Sequence, residues 1–455
     1  MSLARNIRRI ATSLLGRNFE SAGGGSRWPL TVGMASPARQ ALAARSLAAS
    51  RVNWLVANTG IAEAIVSNYA TALVGSDGPS ARSGHRNRAM QQALDDAWSD
   101  AFDSFSIDGS DLTSIMSQAC RSLVGNGEAL LRFITTERGE VKVVALLPEQ
   151  LDASVNSESP RVVAGVEVDG LGRIVAYHIR PSPDDYRAAG QSVRVGAADV
   201  VHLFERRWPG QVRGISWLAN VATSIVELDA LQDAALMKAK ASALLCGLIR
   251  NIDGASSTAT DMQALQPMEP GALVELPGGT DVVFTPTSDM AALDAFVRHM
   301  TRVVAAGVGV PYELVAGDLS QVNYSSAKLG LEAFKRRVKG IRSSILVAGF
   351  LRPLWHRFVT LEILSGRINA PDFARDPKPF FAVNFLFPEW AALDPLKEAQ
   401  ADVLLMRAGI RSRQEIIAGR GRDPGEVDAE IDSDVHADMA NNVTPLRPSL
   451  ESEAA

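Results

Sequence analysis

The sequence predicts an α+β fold built from more than one domain, and three observations support this class. Its 455 residues are enough for two or three domains with a large buried core. From residue 36 to about 123, the composition and the apolar spacing are typical of helices. From about 128 to 207 the chain changes to short β-rich runs separated by Gly, Asp, Pro and Ser, which predicts a mostly antiparallel sheet.

Composition limits the class of protein. Apolar residues make up 46% and charged residues 21% of the chain, the balance of an ordinary soluble protein. The formal net charge of −5 argues against a generally basic protein that grips the grooves of nucleic acid. No run of eighteen apolar residues occurs, so we expect no membrane span. Cys120 and Cys246 lie far apart in mostly apolar surroundings, which favours structural thiols over a disulfide.

The N-terminal 35 residues are rich in Arg and contain Gly23-Gly24-Gly25. This composition fits both an organelle transit peptide and a flexible basic arm. The arm is the better interpretation, because basic residues continue to Arg51 and Glu20 is the only acid before that position.

Helices are predicted first along the body of the chain. Ser36 and Pro37 have the residue types of an N-cap and a first helical position, and an Ala-rich helical run continues to about residue 73. Further helices are expected near residues 86–103 and 111–123. The predicted strands that follow are EALLRFITT, EVKVVALLP, RVVAGVEV, RIVAYHIR and DVVHLFE.

Beyond the predicted sheet, long helices flank a small β module. One helix is expected from Ser216 to about Ile249, and another from Asp289 to about Ala306. Between them, GALVELPG and TDVVFTP lie on either side of Gly278-Gly279, which predicts a hairpin.

A third long helix is predicted by an apolar seam with alternating spacings of four and three. Pro353 should kink or end this helix. Near the C-terminus, Asp394 and Pro395 predict one helix start, and Ser412 with Glu415 predicts a capping box for another. The seam residues are Ala327, Leu331, Phe334, Val338, Ile341, Ile345 and Ala348.

Catalytic motifs are scarce. Ser325-Ser326-Ala327-Lys328 matches S-x-x-K, so a serine hydrolase using Ser325 and Lys328 is a rival hypothesis. The K-T-G and S-D-N motifs of such enzymes are absent, and the serines also suit the cap of the seam helix. No G-x-x-x-x-G-K-[ST] loop and no H-x-x-x-H pair occurs among the six histidines. We therefore expect no catalysis, no cofactor and no metal site.

Charge is distributed unevenly. No Lys or Arg occurs from Asn251 to Val297, or from Val303 to Ala327, while both segments contain acids. A solvated face or an acidic docking surface would explain this pattern. So would a surface that lets a polyanion pass without holding it, because Lys and Arg dominate the affinity of proteins for DNA phosphates.

Five blocks of the sequence occur in the order in which one known family carries them. The most specific is GVPYELVAGDLSQVNYSSAKLGLEAF, with slightly variant spacing and with Lys328 where that family often has Arg. By these blocks the chain, over roughly residues 40–430, resembles the portal proteins of tailed bacteriophages, in their lambda-like branch. The other blocks are VVHLFERRWPGQVRGISWLA, MEPGALVELPGGTDVVF, LDPLKEAQA and GRGRDP.

The resemblance implies a portal fold, with an α+β wing, long stem helices, a small β clip and a helical crown, that assembles into a ring, usually of twelve subunits. On this plan the chain divides into a flexible basic arm (1–35), wing (36–215), stem helix (216–250), clip hairpin module (251–287), second stem helix (288–307), tunnel loop (308–325), long helix returning to the wing (326–392), helical crown (393–436) and disordered tail (437–455).

The same resemblance implies a function and partners. The ring would lie at one capsid vertex of the virion, after assembly in the host cytoplasm, and conduct double-stranded DNA during packaging and ejection. It would dock the terminase large subunit and then a head–tail adaptor, and contact the major capsid and scaffold proteins. Channel residues are expected at Val310, Glu313, Leu314, Asp318, Leu319, Gln321, Val322, Asn323, Tyr324 and Lys328, and a clip docking surface at Asp261, Glu269, Glu275 and Asp281.

Overall fold

A computed structural model describes residues 36–181, 191–243, 247–251, 280–284, 290–320, 324–388, 390 and 394–440. Helices and antiparallel sheets both occur, which confirms the predicted α+β class. The helices are α1 (Pro37–Asn58), α2 (Gly60–Val74), α3 (Arg88–Phe102), α4 (Leu112–Gly125), α5 (Ala222–Ala243), α6 (Met290–Val308), α7 (Tyr312–Ala316), α8 (Tyr324–Ile341), α9 (Arg352–Leu364), α10 (Lys378–Phe381), α11 (Pro395–Arg407), α12 (Arg413–Gly419) and α13 (Pro424–Ala440).

The strands within the described residues form four antiparallel sheets. A three-stranded sheet has the order β3-β2-β9, and a five-stranded sheet runs from β4 to β8 in sequence order. Two further pairs, β1 with β12 and β10 with β11, join segments that are distant in sequence. The strands are β1 (Ser80–Ser83), β2 (Glu128–Thr135), β3 (Val141–Leu146), β4 (Ser157–Glu158), β5 (Arg161–Val163), β6 (Val166–Val168), β7 (Ile174–Ile179), β8 (Val193–Gly196), β9 (Val200–Phe204), β10 (Gly247–Asn251), β11 (Thr280–Phe284) and β12 (Val383–Leu386).

The main core lies between the three-stranded sheet and the helices around it. Trp98 of α3 is at its centre, with its ring 4.9 Å from that of Phe105 and 5.2 Å from that of Trp355. Cys120 is buried in the same core as a free thiol, and burial raises its pKa to about 12. The predicted structural role is confirmed for Cys120, while Cys246 lies outside the described residues. A smaller core lies under the five-stranded sheet.

The first predicted helix is interrupted. Thr59 has extended backbone angles between α1 and α2, and its hydroxyl donates to the carbonyl of Leu55 at 2.8 Å. A hydroxyl that bonds to the preceding turn competes with the helix, and Gly60 follows directly, so the break has a local cause.

The long helix continues past Pro353, which corrects the prediction that it could end there. Between α8 and α9, residues Arg342–Leu351 form wide π-helical turns, and the N–H of Arg352 donates to the carbonyl of Val347, five residues earlier. A π turn contains one more residue than an α turn, so the buried face moves by one position. Ala348, predicted in the seam, is therefore exposed, while Phe350 is buried.

The β module contains one strand pair among the described residues. The helix expected to reach about residue 249 ends at Ala243, and β10 (Gly247–Asn251) follows it. β10 is the antiparallel partner of β11, so TDVVF is a strand, as predicted. Residues 252–279, which include GALVELPG, lie outside the described residues, so the hairpin between GALVELPG and TDVVFTP stays a prediction.

A buried ionic cluster joins the parts of the α+β region. The Glu128 carboxylate accepts hydrogen bonds from Arg213 Nη2 at 2.6 Å, Arg45 Nη2 at 2.9 Å and the N–H of Gly214 at 2.9 Å, and it lies 3.0 Å from His202 Nε2. Burial alone would raise the pKa of Glu128, but the charge of Arg213 and the bond to His202 hold it below its ordinary value. Burial also lowers the pKa of His202, which keeps this ring neutral.

Arg213 also bonds to the five-stranded sheet region. Its Nη1 donates to the carbonyl of Ala164 at 2.8 Å and its Nη2 to that of Pro148 at 3.1 Å. Gly127 and Gly214 let the backbones beside the cluster meet, because a Cβ at either position would overlap the opposite main chain.

The C-terminal helices attach to the rest of the chain through Arg82 of β1. Its guanidinium pairs with Glu426 and lies 3.8 Å from both Asp423 and Asp95. The predicted starts of α11 and α12 are confirmed, since Asp394 and Ser412 accept the N–H groups three residues on. α13 extends to Ala440, four residues into the segment predicted as a disordered tail. Among the described helices, none is both long and apolar enough to cross a membrane.

We predict that Glu128→Gln destabilises the protein by about 3–5 kcal/mol, because it leaves two buried guanidinium groups without their carboxylate. Chemical denaturation measures the change. Glu158→Gln on exposed β4 is the control and should alter the free energy of unfolding by less than about 0.5 kcal/mol. Equal effects of the two substitutions would contradict the central role of Glu128.

We predict a pH-dependent contribution from Asp95, whose pKa is raised to about 6 because burial penalises its charged form. In the native state the Asp95 carboxyl keeps its proton up to a higher pH than it does in the unfolded chain. Its contribution to the free energy of unfolding is therefore complete below about pH 4 and is lost as pH rises through about 6. Relative to Asp95→Asn, wild type should lose up to about 3 kcal/mol between those limits. Denaturation curves at several pH values test this, and parallel pH profiles for the two proteins would refute it.

Candidate functional site

Within the predicted tunnel loop (308–325), residues 309–320 are a folded segment rather than an open loop, while residue 308 belongs to α6 and residues 324–325 belong to α8. α6 ends at Val308, Gly309 turns the chain with φ of +71°, and α7 follows. Gly317 ends α7 in the left-handed conformation, with φ of +64°. The segment therefore consists of a short helix between two glycine turns.

Helix α2 fixes the position of this segment. The hydroxyl of Tyr69 donates to the carbonyl of Val308 at 2.7 Å, and the amide of Asn68 donates to the carbonyl of Leu314 at 2.8 Å. Tyr69 is buried, which raises its pKa to about 12. Its ring packs edge-on against Trp217 at 5.0 Å and Phe334 at 5.3 Å.

The apolar residues of the segment divide into two groups. Val310 and Val315 are buried in the main core, and Leu314 is half-buried against it. Leu319 is 71% exposed. Among the described apolar residues predicted for the channel, Leu319 is the most exposed in the isolated chain.

Asp318 is held by bonds within the segment. Its carboxylate accepts from the Tyr312 hydroxyl at 3.0 Å and from the hydroxyl and N–H of Ser320 at 2.6 and 3.0 Å. The bonds from Ser320, followed by that from Tyr312, lower the pKa of Asp318 to about 2. Asp318 is thus a fixed negative charge.

Helix α6 places positive charge beside the segment that lacks Lys and Arg in sequence. Arg298 Nε lies 3.9 Å from Asp318, and the Arg302 guanidinium lies 5.1 Å from the centre of the Tyr312 ring. The predicted acidic character of this region is therefore partly offset in the fold. Sequence reasoning missed both arginines because they lie outside the segment, on the preceding helix, although their spacing of four on a helix is visible in the sequence.

The S-x-x-K residues lie in the first turn of α8. The helix begins at Tyr324, so Ser325 and Ser326 follow the first helical residue and do not occupy the predicted N-cap position. Lys328 is exposed. Gln321, Val322 and Asn323 lie outside the described residues. No group of three metal-binding side chains occurs in the part of the chain that the structure describes.

Of the predicted clip residues, Asp281 is placed and the others are not. It lies on β11 directly opposite Arg250 of β10. Asp261, Glu269 and Glu275 lie outside the described residues.

The buried cluster around Glu128 was also missed by sequence reasoning. A charged or imidazole side chain within an otherwise apolar strand, as at Glu128 and His202, was the available signal. The His202 side chain is buried in the core beside Glu128.

Comparison with known proteins agrees with this architecture. Residues 26–342 match the family described as phage portal protein, lambda family. The probable portal protein of Halomonas phage phiHAP-1 is 25% identical over 365 residues, which are 73% of this chain and 70% of that protein. Portal protein B of Escherichia phage lambda is 24% identical over 327 residues, 64% of this chain and 61% of the relative.

A solved structure has a similar fold. A chain in the neck of an empty gene transfer agent particle, computed with C6 symmetry, superimposes with a TM-score of 0.50 at 18% identity, over 83% of this chain and 94% of that one. The family match covers most of the α+β region, the strand pair, the loop segment and α8. The chain belongs to the lambda family of phage portal proteins.

Proposed function

We propose that the chain is the subunit of a portal ring at one capsid vertex, through which double-stranded DNA enters and leaves the virion. The family match over residues 26–342 carries this proposal. The family match supports a structural role for the chain as a conduit for DNA. It offers no support for a serine hydrolase using Ser325 and Lys328.

Exposed apolar side chains support assembly into a ring, which we propose to contain twelve subunits. Met237 of α5 is 66% exposed and Phe296 of α6 is 52% exposed, on helices that contact each other. Neither α11 nor α12 buries any residue within the chain, although Leu396 and Leu404 of α11 are apolar. Such surfaces are typical of contacts with further copies.

The clip is proposed as the docking surface for the terminase large subunit and then for a head–tail adaptor. β10 follows α5 and β11 precedes α6 in the chain, so the strand pair lies next to the ends of both helices in sequence. The acidic residues Asp261, Glu269, Glu275 and Asp281 would give this surface its charge. The major capsid and scaffold proteins would contact the outside of the ring.

Contact with DNA is proposed for the exposed end of the loop segment. The candidates are Leu319, residues 321–323 and the start of α8 with Lys328. Val310 is buried and Leu314 is half-buried against the main core, so these two are weaker candidates. A surface with a fixed carboxylate and an exposed leucine would pass DNA with little phosphate binding.

We expect the purified protein to form a closed ring, seen by native mass measurement and negative-stain images. Phe296→Asp should reduce it to smaller species with unchanged helix content, because it places a charge on a surface that neighbours bury. Leu171→Asp, at an exposed turn, is the matched control and should leave the ring intact. A wild-type monomer under all assembly conditions would argue against the portal proposal.

We expect Leu319→Lys to slow DNA passage severalfold at low salt, because each subunit would add a cation facing the phosphates. The rate of packaging or ejection measures this, and raising the salt should restore it. Leu319→Gln controls for loss of the leucine. If the two variants gave the same rate at every salt concentration, Leu319 would not face the DNA.

A further inference from the structure

A groove beside α3 has an apolar floor and no covering element among the described residues. It is about 730 Å³ in volume and is bordered by α3, the start of β3 and the end of α9. Its floor includes Met90, Ala93, Ala97, Phe105, Phe358 and Ile368. The small alanines at a spacing of four leave room for another helix to approach α3 closely.

The groove carries an acidic border. Asp96, Asp100 and Asp103 recur at spacings of four and three, which places them along one side of the alanine row, and Asp100 lines the groove. None of the three forms an ion pair with a described residue. The cations at the groove are already balanced, since Lys142 lies 3.9 Å from Glu140 and Arg367 bonds to Glu362 at 2.7 Å.

The chain itself contains a segment with the complementary pattern. Leu3, Ile7, Ile10 and Leu14 recur at spacings of four, three and four, which places them on one face of a helix. Arg5, Arg8 and Arg9 lie between them, and no acid occurs before Glu20. Twelve residues of helix are about 18 Å long, close to the roughly 22 Å of α3.

The connection is long enough for the segment to reach the groove of its own chain. The part of α1 from Ser36 to Arg45 is about 14 Å long, and Arg45 bonds to Glu128 at the start of β2. The strand β2 is about 25 Å long and ends at the turn next to Glu140, which lines the groove. Residues 16–35 could span up to about 65 Å when extended, which exceeds the combined distance.

We propose that residues 3–14 bind in the α3 groove of the same chain as an amphipathic helix. The apolar face would lie on Ala93, Ala97 and the aromatic floor, while the long arginine side chains would reach the aspartates at the border. The site is distinct from the loop segment and from the clip, and it does not depend on the portal function.

A photo-crosslinking residue at Ile10 of the full-length protein tests the proposal. Crosslinks mapped by mass spectrometry should fall on α3, β3 and α9. Asp96→Lys together with Asp100→Lys should lower their yield more than fivefold, because attraction becomes repulsion. Ala93→Trp, which fills the groove from an exposed position, should do the same.

Asp229→Lys on exposed α5 is the control for charge reversal and should leave the yield unchanged. Mixing isotopically labelled and unlabelled chains before assembly identifies the source of the segment, and crosslinks within one isotopic form support the proposal. Crosslinks spread over the surface, crosslinks insensitive to the groove variants, or crosslinks between the two forms would each overturn it.

Discussion

The pairing of Glu128 with Arg213 is the interaction on which the α+β region depends. The two groups are almost completely removed from water, so each requires the other to remain charged there. Arg45 brings α1 to the same carboxylate, His202 brings β9, and the remaining donors of Arg213 reach carbonyl groups beside the five-stranded sheet. One carboxylate thereby sets the relative positions of two sheets, the first helix and the segment leading into α5.

The two main chains meet closely at this pair. Gly127 precedes Glu128 and Gly214 follows Arg213, and a Cβ at either glycine would overlap the opposite main chain. A buried ion pair is a weak source of net stability, but removing one partner is costly because the other charge stays buried. Arg213 precedes α5 by nine residues, so the pair also positions the segment that leads into this helix.

The sequence predicted most elements because their signals are local. The helices α3, α4 and α6, the strands β2, β3, β7 and β9, and the caps at Asp394 and Ser412 follow from spacing and residue type alone. The failures are non-local. The pairing of β10 with β11 was not predicted because it depends on which distant segment lies alongside β11, and the pairing of β1 with β12 shows the same limit.

The candidate site was less predictable than the fold. Burial of Val310 and the position of Arg298 beside Asp318 depend on how α2 and α6 pack around the segment. The spacing of residues within the loop gives no information about this packing. The shift of the seam at Ala348 has a local cause instead, since a π turn before Pro353 accommodates a residue without an N–H by widening the helix.

Helices α11 and α12 have a thermodynamic consequence for the proposed assembly. Neither helix buries any residue within the chain, so the apolar surface of Leu396 and Leu404 on α11, and of Ile410 between the two helices, is hydrated in the isolated subunit. In the proposed ring, closure would remove that surface from water and give association a large negative heat-capacity change. The assembly would then be weakened by cooling and strengthened by gentle warming, the temperature response of a hydrophobic interface.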